Sequence, residues 1–207
     1  AVCTLAFNLY LVCNLRGQDS NTVLEQTWQT ESDAATLELR VWDQELLFFV
    51  DTGSNLHIFD QKYRSRLGSG GPSVSGDGVA SRIETTLFPP QRIYAGSQEL
   101  DSRFFVAAFE LQQFQEATGF AADGILGIEL LLRNVVEIDR PKKRVRVLKW
   151  APNLTPFRLV SFDLYQDKSN QIYLETGAPT FDKQRFLIDN GFNLFADIES
   201  ELFDNLV

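Results

Sequence analysis

Apolar and polar positions alternate along much of the chain with the period of β-strands. Residues 36–42 (TLELRVW) alternate, as in a strand with one buried face. Residues 46–50 (LLFFV) form a continuous apolar run that fits a fully buried strand, with a turn expected at Asp43-Gln44 between the two. Residues 56–59, 83–87, 91–94 and 103–109 read as further strands, with Pro89-Pro90 and Gly96-Ser97 as turns. Residues 61–67 and 129–134 suit short helices, and 135–139 is expected to pair with 144–149 around Arg140-Pro141-Lys142-Lys143. Residues 14–34 are polar and lack a period, which predicts a linker or a loosely docked arm.

The apolar run at 46–50 ends in Asp51-Thr52-Gly53-Ser54, a tight polar turn, and a second apolar run follows it. An ionised Asp is rarely set beside a core without a partner, so Asp51 reads as a held, functional carboxylate. After a Pro-containing break at 151–156 the pattern restarts. Tyr173-Leu174-Glu175 mirrors Glu38-Leu39-Arg40, and Phe186-Leu187-Ile188-Asp189 mirrors Phe48-Phe49-Val50-Asp51. Asn190-Gly191 then stands where Thr52-Gly53 stood, Asn193-Leu194 matches Asn55-Leu56, and 199–206 matches the helix expected at 61–67. Two such copies point to facing carboxylates, the machinery of acid–base peptide hydrolysis. An ordinary Asn-Gly β-turn is the plain alternative for the second copy. Between the copies, residues 68–81 are rich in Gly and Ser; they read either as a surface loop or as a mobile hairpin flap centred on Val74, Ser75, Gly76, Asp77 and Gly78.

Composition narrows these readings. The 207 residues hold one medium domain or two small ones, and seventeen Phe suit β-rich cores. A net charge of −9 argues against nucleic acid as a partner, and the basic turn at 140–143 reads as a solvated hairpin. The only cysteines, Cys3 and Cys13, lie in the N-terminal run, so no disulfide framework or Cys-based metal site is expected elsewhere. The single histidine, His57, rules out a His-rich metal cluster. It also follows Ser54 too closely, on an expected strand, for a Ser-His-Asp triad; it reads as a structural residue at a strand end. Residues 1–13 (AVCTLAFNLYLVC) resemble the apolar middle of a secretory signal peptide without its charged start, or a membrane anchor truncated at its N-terminus. The expectation is export, to the periplasm, the exterior or a membrane-anchored state, with membrane contact only through such an anchor.

The combination of Asp51-Thr52-Gly53-Ser54 after an apolar strand with Asp123-Gly124-Ile125-Leu126-Gly127 before a helix resembles the aspartic proteases of the pepsin and retroviral type, above all their small bacterial relatives. The resemblance covers about 36–150 well and 157–207 in part. It implies a mostly β fold: an acid-protease-like closed β-barrel lobe with short helices at 36–150, then a partial second copy at 157–207, preceded by a signal or anchor at 1–18 and an arm at 19–35. It implies catalysis by Asp51 with Asp189, or by Asp51 with its copy in a homodimer, on a peptide or protein substrate and without cofactor or metal. Thr52 would brace the two loops, Gly53 would turn the chain and offer its N–H to the carboxylate, and Ser54 would bond the outer carboxylate oxygen. Ile125, Leu126 and Gly127 would pass behind the loop. Asn190 for Thr and Phe192 for Ser depart from the pattern in the second copy. A protease-like domain that binds peptide or protein without cutting it is the reading from another class.

Overall fold

The computed structural model describes residues 21–28, 34–77, 82–119, 121–151, 173–178, 181–187 and 189. The apolar run at 1–13, most of the break at 151–156, Gly78, Asn190, Gly191, Phe192 and the helix expected at 199–206 lie outside these residues. In chain order the elements are β1 (Thr22–Thr27), β2 (Thr36–Val41), β3 (Gln44–Val50), β4 (His57–Asp60) and a 3-10 helix (Gln61–Arg66). Then come β5 (Ser73–Asp77), β6 (Arg82–Phe88), β7 (Ile93–Ala95), β8 (Gln98–Glu99), β9 (Val106–Phe109), α1 (Gln112–Thr118), β10 (Gly124–Leu126) and α2 (Ile128–Arg133). The last are β11 (Val135–Asp139), β12 (Arg144–Leu148), β13 (Tyr173–Ala178) and β14 (Phe181–Leu187).

The fold is mostly β, as the alternating pattern predicts. Nine strands run in one order, β5-β6-β9-β4-β10-β3-β2-β7-β8. Among the described residues no ladder joins β5 to β8, so the lobe is an open order of strands where a closed barrel was expected. Side chains alternate across its centre. Phe48, Val50, Phe59 and Leu126 enter the main core, while Phe49 and Ile125 on the same strands enter a second cluster with Leu111 and Ala122. Phe48 meets Phe59 edge-on at 5.4 Å between centroids, and Phe49 meets Phe114 of α1 at 5.0 Å. Each fully buried Phe contributes on the order of 2 kcal/mol, so both faces of β3 are strongly anchored.

Three expectations are corrected. The stretch at 19–35 holds strand β1, antiparallel to β12, with Trp28 buried at its end, so the segment is no loose arm. Its polar residues belong to a small three-stranded sheet with β12 and β11, where Glu25 pairs with Arg144 at 3.6 Å and Arg146 Nε donates to Glu137 Oε1 at 3.0 Å. The β2–β3 turn falls at Trp42-Asp43, one residue early, with Val41 opposite Gln44. Trp42 takes a left-handed φ of 58°, which costs a non-glycine residue about 1–2 kcal/mol. Its ring offsets this by packing on Phe59 and Tyr63, under the Arg66 guanidinium, with Nε1 donating to Gln91 at 3.0 Å. Helix α1, which carries Phe114, is the third: no element was expected there. No helix among the described residues is long and apolar enough to cross a membrane.

Candidate active site

Strand β10 carries the arrangement. It runs parallel to β3, with Leu126 opposite Val50, and antiparallel to β4, with Ile125 opposite Ile58. It therefore separates the strand that enters the Asp51 turn from the strand that leaves it. Three further bonds tie its end to that turn. Asp51 N–H donates to Leu126 O at 2.9 Å, Ile128 N–H donates to Ser54 O at 2.8 Å, and Gly127 N–H donates to His57 Nδ1 at 3.0 Å. Gly127 is required by this closeness: a Cβ there would lie 2.5 Å from Leu56 O and 2.7 Å from Ser54 O, both backbone atoms. Ile125, Leu126 and Gly127 thus run behind the Asp51 turn.

The turn itself cradles a carboxylate. Gly53 N–H donates to Asp51 Oδ1 at 2.8 Å. The Ser54 hydroxyl is engaged elsewhere than the resemblance implies. It donates to Leu56 O at 2.8 Å and accepts from Leu56 N–H at 3.4 Å. Thr52 is buried.

Asp189 lies against this turn. A Cβ on Gly53 would sit 2.5 Å from Asp189 Cγ and 2.8 Å from its Oδ1, so the missing side chain of Gly53 is what admits the second carboxylate. Burial first, then the charge of Asp189, push the Asp51 carboxyl up to about 7, while the N–H groups of Gly53 and Ser54 pull the other way. A hydrogen bond between the two side chains adds to the rise.

Around this pair the structure has its own supports. Asp123 accepts from Leu47 N–H at 3.0 Å and from Tyr63 Oη at 2.7 Å, and Lys62 Nζ pairs with it at 2.8 Å. Burial works to raise Asp123, but Lys62, Tyr63 and the Leu47 N–H outweigh it and hold the carboxyl below its usual range. Glu129, in the first turn of α2, is buried; burial pushes it up to about 7 against the pull of Arg133. Strand β5 of the hairpin β5–β6 falls in the stretch read as either a surface loop or a flap. Val74, Ser75, Gly76 and Asp77 pair with Thr85, Glu84, Ile83 and Arg82 at the edge of the nine-strand order. Two open cavities, of about 490 and 390 Å³, lie between the 3-10 helix and β6, and neither is lined by Asp51 or Asp189. Among the described residues no three His, Cys, Asp or Glu side chains gather as a metal site.

Glu129 was not singled out by its sequence context, and His57 was read only as a structural residue at a strand end. The contact of His57 with Gly127 spans 70 residues, and nothing local announces it.

No family model matches the chain, and no curated protein matches it. Solved structures do. One is the EIAV protease complexed with the inhibitor HBY-793, at 23% identity over 52% of this chain and 92% of that chain, with a TM-score of 0.34. Another is the retroviral protease-like domain of Ddi1 from Leishmania major, at 15% identity over 59% of this chain and 97% of that one, with a TM-score of 0.39. These are likenesses of fold, and the chemistry is argued from the residues of this chain.

Proposed function

We propose that the chain is an aspartic endopeptidase whose catalytic pair is Asp51 with Asp189. The observation that carries this reading is the Asp189 carboxylate seated on Gly53 beside an Asp51 pushed up to about 7. At that value one proton is shared between the two groups across mildly acid to neutral pH. One carboxylate takes a proton from a trapped water as it attacks the scissile carbonyl, and the protonated partner hydrogen-bonds the carbonyl oxygen. The partner's proton passes to that oxygen to complete a tetrahedral diol; on its collapse the C–N bond breaks, the amine leaves with the proton taken from water, and a diol hydroxyl returns its proton to the pair, restoring the starting protonation. Residues 36–150 supply the first carboxylate and its bed, and 157–207 supply the second. The substrate is an extended peptide, held by strand-like hydrogen bonds along the cleft.

The test is cleavage of a mixed peptide library from pH 3 to 8, read by mass spectrometry, for the wild-type chain, Asp51→Asn and Asp189→Asn. Loss of cleavage in both variants is expected. Loss in Asp51→Asn alone would assign catalysis to a homodimer of Asp51 loops. No cleavage by the folded wild-type chain at any pH would leave a protease-like binding domain.

A further inference from the structure

His57 opens β4 and is fully buried. Its Nδ1 accepts the Gly127 N–H at 3.0 Å, which places the ring proton on Nε2. Nε2 has no hydrogen-bond partner among the described residues. A buried N–H left unpaired costs about 1–3 kcal/mol, a penalty that an apolar side chain at this position would avoid. Burial also holds the ring down to about 4, so it stays neutral and able to accept. What a histidine offers here, and a leucine does not, is therefore the Nδ1 lone pair.

That lone pair is spent on one backbone group. Gly127 lies just past the end of β10, hemmed in by the Leu56 and Ser54 carbonyls, and its N–H is a donor that the strand ladder does not take up. The residues on either side of Gly127 are bonded to the Asp51 turn, through Leu126 O to Asp51 N–H and through Ile128 N–H to Ser54 O. A shift of Gly127 would therefore be passed to both ends of the turn that aims Asp51 at Asp189.

We infer that His57 is a positioning residue for Asp51, acting through the Gly127 N–H to set the turn at the separation at which the two carboxyl groups share a proton. This rests on the protease reading given above. Proton sharing and attack on a carbonyl depend on placement to a fraction of an ångström, and a misplacement of about 1 Å costs on the order of a hundredfold in rate.

The experiment compares His57→Leu, which fills similar space without an acceptor, with His57→Asn, whose Oδ1 can stand where Nδ1 stands. Both are made in the full chain. The substrate is the peptide that the wild-type chain cuts fastest in the library. His57→Leu is expected to lose about 10- to 100-fold in kcat with KM within about twofold, the mark of a mis-set reacting group rather than lost binding. His57→Asn is expected to recover kcat to within about threefold of wild type. Amide exchange at Gly127 and the carbon-13 titration of Asp51, both by NMR, are read on the same proteins. Faster exchange and a moved titration in His57→Leu, restored in His57→Asn, support the inference. An unchanged kcat and Gly127 exchange in His57→Leu would overturn it, as would a His57→Asn variant as impaired as His57→Leu or a failure of both to fold, since the ring would then serve only packing. If the wild-type chain cuts nothing, the protease reading falls, and the two NMR readouts still decide whether His57 sets the Asp51 turn.

Discussion

Hairpin β2–β3 sets Leu37 opposite Phe48 and Thr36 opposite Phe49; hairpin β13–β14 sets Leu174 opposite Phe186 and Tyr173 opposite Leu187. Each hairpin ends just before an aspartate. The second carries a register shift between Thr176 and Ala178, an irregularity that β2–β3 lacks, so the two copies align by register with Leu174 against Leu37. The sequence pattern had set Leu174 against Leu39, two residues away. The larger difference lies in what flanks them. β3 is bordered by β10, which ties the Asp51 turn from behind, whereas among the described residues β14 pairs with β13 alone. One carboxylate is thus fixed by its own lobe, and the other is met at the bare backbone of Gly53. A pair of equivalent groups can be built from unequal supports, provided one of them is held firmly enough to define the site.

Replacing Asp189 tests the comparison most severely. Asp189→Asn keeps the shape of the side chain but removes one acid–base partner, and a loss of about 10³-fold in kcat is expected. The Asp51 titration, followed by carbon-13 NMR, should fall from about 7, because the charge of Asp189 is gone. It should stay above the ordinary 3.8, because burial, the larger cause, remains. A titration that does not move would mean that the two carboxylates are not coupled.

The same substitution at two glycines separates support from pairing. In Gly127→Ala the new Cβ meets backbone oxygens of Leu56 and Ser54, which cannot turn aside. A stability loss of about 3 kcal/mol in urea unfolding is expected. In Gly53→Ala the obstacle is the Asp189 side chain, which can rotate away. Stability should then fall by about 1 kcal/mol or less while cleavage is lost with the pairing. Equal stability losses at the two sites would contradict the picture of one tied and one docked carboxylate.

Acidity should show the cost of burying these groups. Asp51 and Glu129 are pushed up to about 7 by burial, so between pH 4.5 and 7 the folded chain holds protons that the unfolded chain has released. Their effect makes stability fall as pH rises through that window. His57, held down to about 4 from 6.5, acts the opposite way: the unfolded chain takes a proton that the folded one refuses, and stability falls as pH drops from 6.5 toward 4. Two acids oppose one base between pH 4.5 and 6.5, leaving a net loss of about 1.4 kcal/mol per pH unit on raising the pH. Urea midpoints across that range measure it, and Glu129→Gln should flatten the slope.

What could be read in the sequence was whatever is local and apolar. The run into Asp51, the alternation of β2 and the Ile125-Leu126-Gly127 segment all announce buried backbone through their own composition. β1 could not be read because its sequence, TVLEQT, is mostly polar, and it becomes a strand by pairing with β12, far along the chain. α1 is one polar heptad with a single anchor, Phe114, too short to show a helical period. The role of Ser54 was misread for a related reason. A hydroxyl after Asp-Thr-Gly implies a bond to the carboxylate, but the choice among nearby acceptors is settled by the path of the chain after the turn, here by the carbonyl of Leu56.

That misreading supplies the mildest test. Because Ser54 Oγ bonds Leu56, and the hydrogen bond to the Asp51 carboxylate comes from Gly53 N–H, Ser54→Ala removes the first bond and leaves the second. The Leu56 carbonyl loses one donor, a cost of about 1 kcal/mol in stability. The carboxylate keeps the Gly53 N–H, so kcat should fall no more than about threefold and the Asp51 titration should stay where it is. Were the hydroxyl to turn onto Asp51 once peptide is bound, the same variant would lose far more activity than stability. The ratio of the two losses therefore reports which acceptor Ser54 serves during the reaction.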